Sequence, residues 1–196
     1  MDLTQGSTQE KNTRAKKMML WFGIVSLIMS FGGLTSAFIV SSTREDWLSN
    51  FELPSSFTAS TIIIISSSIV LYFSKKALLK SQNQLSTSLL LGAFLLGVTF
   101  IYTQFSGFNE MIQSGYNFTG PTSNITMSYI YIIAVVHILH VVVGLICLIV
   151  VIMNHLKKKY SPTDKLGFDL ASTFWHFVDV LWLYLFFFLY FFNKIN

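Results

Sequence analysis

Apolar residues run along this chain in five blocks separated by polar stretches, at about 18–40, 58–74, 86–106, 127–153 and 172–192. Each block is close to the roughly 20 residues an α-helix needs to cross the hydrocarbon core of a bilayer. Lipid offers the backbone no hydrogen bonds, so an isolated run of this kind must satisfy its own, and helix is the form predicted for each. The second block is the weakest, because its core from Thr61 to Phe73 is short and contains Ser66-Ser67-Ser68. The first block follows a polar, basic stretch, Met1 to Lys17. A secretory h-region is about 7–15 residues, shorter than this run, so an uncleaved first helix is expected. The expected fold is all-α: a polar segment over 1–17, then one five-helix membrane domain over 18–196.

Composition supports the pattern. The 196 residues are 53% hydrophobic and only 11% charged, against about 25% charged in a soluble domain, and the mean hydropathy is +0.59. The net charge of +4 does not mark a nucleic-acid partner, because the basic residues sit between apolar blocks. Lys11, Arg14, Lys16 and Lys17 precede the first span. Lys75, Lys76 and Lys80 follow the second, and Lys157, Lys158, Lys159 and Lys165 follow the fourth. These eleven of the thirteen basic residues fall on one side, leaving Arg44 and Lys194 on the other. The positive-inside rule then predicts a cytoplasmic N-terminus and an outer C-terminus, as an odd number of spans requires. The outer loops carry Glu45, Asp46, Glu52 and Glu110. The outer loop at 107–126 contains Pro121 and two short glycosylation patterns, at Asn117 and Asn124, which are common enough to arise by chance. The single cysteine, Cys147, excludes an intrachain disulfide and any CxxC site.

Small residues offer a packing device. Ser26, Ser30, Gly33 and Ala37 share one face of the first span, and Ala93 and Gly97 share one of the third. Such faces let membrane helices approach closely. Phe186, Phe187, Phe188, Phe191 and Phe192 form an aromatic wall suited to lipid or to a neighbouring subunit.

The chemistry concentrates in the last two spans. His137 and His140 are spaced i, i+3, as are His176 and Asp179, so each pair projects from one helix face. An ionisable side chain at bilayer depth costs about 2.5–3.5 kcal/mol on insertion scales and so calls for a partner or a pathway. Three readings fit the four residues: a metal site, a proton relay, and an interhelical polar cluster in which the groups satisfy one another. A bis-histidine haem bridging the two spans is also possible in principle. The histidine-box class of membrane di-iron enzymes is excluded, because the chain has only four histidines.

Phe174-Trp175-His176-Phe177-Val178-Asp179-Val180-Leu181-Trp182-Leu183, followed by an aromatic run, resembles the last-helix signature of the cytochrome c oxidase subunit III family. His137-Ile138-Leu139-His140-Val141 with Gly144 resembles that family's His-x-x-His-Val pattern, and Leu53-Pro54 and Gln104 also fit. The resemblance spans about Trp21 to Phe192. It implies an all-helical bundle, of seven helices in longer members and five in shorter bacterial ones. It also implies a subunit that binds no haem, copper or other metal itself and has no catalytic residue. The expected partners are the catalytic subunit I of a haem–copper terminal oxidase, which carries haem and copper, together with subunit II and phospholipids, in a bacterial plasma membrane. On this footing His137, His140, His176 and Asp179 become a structural cluster. Two positions depart from the family's pattern: Leu27 and Gly107 stand where many members carry a glutamate, so no acid is expected within spans one to four. The longer members' V-shaped lipid cleft is not expected from these five spans alone. An accessory subunit of a quinol oxidase or nitric oxide reductase, and an independent transporter, are the alternatives.

Overall fold

The structure, a computed structural model, describes residues 7–48, 53–120, 123–161 and 164–195, with side chains as far as Phe192. Glu52, Pro121 and the side chain of Lys194 lie outside the described residues, as does the start of the polar segment. Five helices are described: α1 (Thr8–Ser41), α2 (Ser55–Leu79), α3 (Asn83–Gln113), α4 (Ile125–Leu156) and α5 (Leu166–Ile195). Each is long and apolar enough to cross a membrane, and each outruns the span expected for it. At a rise of 1.5 Å per residue, α1 is about 51 Å long, against a hydrocarbon core of about 30 Å.

Local chemistry fixes the helix ends. Ser7 and Glu10 form a capping box: the Glu10 N–H donates to Ser7 Oγ, and the Ser7 N–H to Glu10 Oε2. Lys11, Arg14, Lys16 and Lys17 therefore lie in the first turns of α1. Asn124 caps α4, its Oδ1 accepting from the Thr126 N–H at 2.8 Å. Ser81 ends α2 in the left-handed region at φ 59°, which lets the Gln82 N–H reach back to the Ala77 carbonyl and closes a tight hairpin to α3. Lys158, at φ 54°, likewise lets the Lys159 N–H reach back to the Asn154 carbonyl at the end of α4.

Helices α2, α3, α4 and α5 form a ring in which α2 contacts α3 and α5, and α4 closes the other side against the same two. The most extensive contact is the α2–α3 hairpin. Helix α1 lies outside the ring, against α4 and α5 alone. It turns Ile24, Phe31, Thr35 and Phe38 inward, with the Phe38 ring 5.0 Å from that of Phe192 and 5.5 Å from that of Phe188. The α1 face carrying Ser26, Ser30 and Gly33 is exposed, Ala37 is half-buried, and a Cβ added at Gly33 would meet nothing within 4 Å. Within this chain α1 thus seats large rings, and not its small residues, in the α4–α5 groove.

Small residues do their packing in α3 and α4. A Cβ on Gly97 would come within 2.5 Å of the Trp175 ring, and one on Gly144 within 2.9 Å of the same ring, so two helix backbones clasp this side chain. Ala93 is fully buried. Gly107 seats Phe57, since a Cβ there would lie 2.6 Å from its ring.

Candidate functional site

The polar residues of α2 form two rows with a seven-residue repeat, Ser60/Ser67/Ser74 and Thr61/Ser68/Lys75. A repeat of seven keeps a residue set on one face of a helix in a left-handed bundle. The first row meets α3. Gln104 Nε2 donates to Ser60 Oγ at 2.8 Å, Ser67 Oγ donates to the Ala93 carbonyl at 3.0 Å, and the Ser74 and Ser86 hydroxyls donate to each other's carbonyls at 2.8 and 3.0 Å. The second row meets α5. The Trp182 indole N–H donates to Thr61 Oγ1 at 3.0 Å, Ser68 reaches both His176 and Asp179, and Lys75 pairs with Asp169 at 2.8 Å. The Trp175 N–H joins the rows by donating to Ser67 Oγ at 3.2 Å.

The centre of the site is Ser68. Its Oγ donates to Asp179 Oδ2 at 2.6 Å and lies 2.7 Å from His176 Nδ1. Asp179 is 3% exposed and sits near the middle of α5, and its Oδ1 has no hydrogen-bond partner among the described residues. His176 and Ser68 are half-buried, at the rim of the α2–α5 seam. The seam becomes fully polar at one end, where Lys75 and Asp169 form their ion pair, each about one-third exposed (35% and 29%).

The four expected site residues divide. His176 and Asp179 meet through Ser68 of α2, and no hydrogen bond among the described residues ties them to the histidines of α4. His137 is fully buried between aromatic rings: Trp182 at 5.1 Å, Phe100 at 6.0 Å and Phe31 at 6.3 Å between ring centres. Neither of its ring nitrogens has a hydrogen-bond partner among the described residues. His140 is half-buried and turns Nδ1 to the carbonyl of Val136 on its own helix, at 2.7 Å. The four therefore lie in three surroundings, and among the described residues no three His, Cys, Asp or Glu side chains converge as ligands for a metal.

Two features of the site went unread in the sequence. The serines that weaken the second span supply the interhelical partners, and their seven-residue repeat was the signal that pointed to them. Glu110, expected in an outer loop, belongs to the last turns of α3, where it is half-buried and accepts from the hydroxyls of Ser55 and Ser56 at the start of α2.

The profile of the family described as cytochrome c oxidase subunit III matches residues 5–194. A cytochrome c oxidase subunit 3 of Spodoptera frugiperda is 30% identical over 139 residues, covering 69% of this chain and 86% of that protein. A cytochrome bo(3) ubiquinol oxidase subunit 3 of Buchnera aphidicola is 28% identical over 192 residues, covering 95% of this chain and 92% of that protein. A cytochrome c oxidase subunit 3 of Rhipicephalus sanguineus is 34% identical, covering 71% of this chain and 51% of that protein. The chain matches only about half the length of several such relatives.

Proposed function

The chain belongs to the cytochrome c oxidase subunit III family, and from that premise we propose that it serves a haem–copper terminal oxidase as a non-catalytic subunit that stabilises the catalytic one. It is a multi-pass protein of the plasma membrane. Haem and copper belong, on this reading, to partner subunits, among them the catalytic subunit I, which reduces dioxygen and pumps protons. The N-terminus faces the cytoplasm, following the basic residues. Phospholipid occupies grooves on its surface.

The observation that supports a structural role is the α2 seam. Its buried polar side chains are taken up in hydrogen bonds to α3 and α5, from Ser74–Ser86 at one end to Ser60–Gln104 at the other. In a membrane such bonds average about 0.6 kcal/mol and reach about 1.7, so a row of them holds the bundle in one register. A rigid bundle with outward apolar faces suits a subunit that supports another. Purification through a tag on this chain in mild detergent tests the proposal. Haem-containing subunits in fixed ratio are the expected result, and a lone protein without haem absorbance would overturn it.

A second reading keeps the role and changes the electron donor. The match to a ubiquinol oxidase subunit runs over 95% of this chain and 92% of that protein. A copper-binding subunit in the purified complex would favour cytochrome c as donor, and its absence, with quinol-driven oxygen uptake, would favour quinol.

A further inference from the structure

A hydroxyl has one hydrogen to give. Ser68 Oγ lies 2.7 Å from His176 Nδ1 and 2.6 Å from Asp179 Oδ2, so it cannot donate to both. With a neutral imidazole ring and the Ser68 hydrogen lying within the chain, two arrangements satisfy both contacts. In the first, His176 Nδ1–H donates to Ser68 Oγ, the Ser68 O–H donates to an ionised Asp179, and His176 Nε2 is bare. In the second, a protonated Asp179 donates to Ser68 Oγ, the Ser68 O–H donates to Nδ1, and the ring hydrogen sits on Nε2. The second differs from the first by one proton. If that proton is added at Nε2, the Nδ1 hydrogen moves to Ser68 and the Ser68 hydrogen moves to Asp179. Three hydrogens are present afterwards where two were before, the net charge rises by one, and no electrons are exchanged.

We propose that Ser68, His176 and Asp179 form a proton-loading site, in which a proton accepted at His176 is delivered through the Ser68 hydroxyl to Asp179 and can return by the same route. Burial explains why the carboxyl takes it. Asp179 is 3% exposed, and among the described residues only Ser68 donates to it and Oδ1 is unpartnered; an ionised carboxylate with a single donor in a dry interior is disfavoured. Position explains the route. Asp179 is closed off, whereas His176 is half-buried at the seam's rim, and the seam leads to the Lys75–Asp169 pair. The titratable groups facing the site are Lys75 from α2 and Asp169 from α5. His137 and His140 of α4 make no hydrogen bond to it. The inference stands on the geometry of the seam and not on family membership.

The experiment uses the intact complex purified through this chain. Infrared difference spectra across pH should show a carboxylic C=O band that grows as pH falls and is missing in Asp179→Asn. On transfer to D2O its isotope shift should slow by about a hundredfold in His176→Phe and in Ser68→Ala, the lower end of what a positioned proton donor contributes. Ser68→Thr, which keeps the hydroxyl, should exchange at the original rate. A missing band at every pH, or unchanged exchange in both variants, overturns the proposal. Should those variants fail to assemble, the unaltered complex decides. The 15N signals of His176 must move from an Nδ1–H to an Nε2–H tautomer in step with the Asp179 band, and a tautomer that ignores the band overturns it. Subunit content is measured separately, so a failed proton site leaves the subunit reading standing.

Discussion

Asp179 and His137 show two ways of burying a polar side chain. Asp179 has one donor, Ser68, and one empty oxygen. Replacing it with alanine should loosen the bundle by about 0.6–1.7 kcal/mol, the range for a membrane hydrogen bond, while oxygen reduction by the assembled complex continues. The checks are subunit retention as detergent stringency rises, and turnover per haem. Asp179→Asn, which still accepts from Ser68, should lose less. His137 has no hydrogen-bond partner among the described residues, and an unsatisfied buried polar group costs about 1–3 kcal/mol. His137→Phe should therefore leave the thermal midpoint unchanged or raise it, whereas His176→Phe should lower it. A lowered midpoint for His137→Phe would show that the ring is anchored by something other than its aromatic neighbours. At the surface, Arg44 Nε lies 2.9 Å from Asp46 Oδ1, and that hydrogen bond holds the Asp46 carboxyl below its usual range. A lowered folded-state pKa means that the pair's contribution is present above the unfolded pKa and is lost as pH falls through the folded one. Both groups are exposed, so the effect on stability is slight. The Asp46 carboxyl carbon, followed by NMR, should titrate at lower pH than an isolated aspartate and return towards the ordinary value in Arg44→Gln or at high salt.

Helices here are positioned by whichever face carries the better contacts, and the glycines show this most directly. Gly97 of α3 and Gly144 of α4 admit the Trp175 ring, which then places its N–H on Ser67 of α2. One side chain of α5 thus touches three other helices. Gly97→Ala puts a methyl 2.5 Å from that ring and should destabilise by about 1–3 kcal/mol, the usual cost of overpacking. Gly33→Ala, in open space on α1, should be neutral or mildly stabilising, since alanine favours helix over glycine by up to about 1 kcal/mol. Denaturation of the two variants side by side gives the comparison, and equal effects would mean that Trp175 has room to move. Five apolar blocks and their helical form were legible because length and hydropathy alone decide whether a run can cross a bilayer. The two polar rows of α2 were harder to see, because serine lowers hydropathy in proportion to its number whether or not it has a partner. Only the repeat of seven separates a packed serine from a solvated one.

Across the whole molecule the load is uneven. Four helices close on one another, and α1 rests against two of them. Among the described residues its side-chain hydrogen bonds to the other helices are Thr35 with Tyr184 at 3.0 Å and Ser41 with Tyr129 at 2.9 Å. Pulled from its N-terminus in a bilayer, the chain should release α1 as a separate first event, at lower force than the α2–α3 hairpin. A single cooperative event would mean that the α1 rings contribute as much as the α2 seam.

The amino-acid order by itself determined the class, the number of spans and the family, because these depend on run length, composition and a contiguous last-helix signature. It also determined that His137 and His140 share a face, and that His176 and Asp179 share another, since helical periodicity is a local property. What those faces meet was decided only by the tertiary structure. The rotation of each helix about its axis is set by packing against all its neighbours at once, and no local spacing encodes it. That rotation sent His137 into a cage of rings, and turned His176 and Asp179 away from the span-four histidines and onto Ser68. It is also what brought a hydroxyl, an imidazole and a carboxyl into one hydrogen-bonded chain.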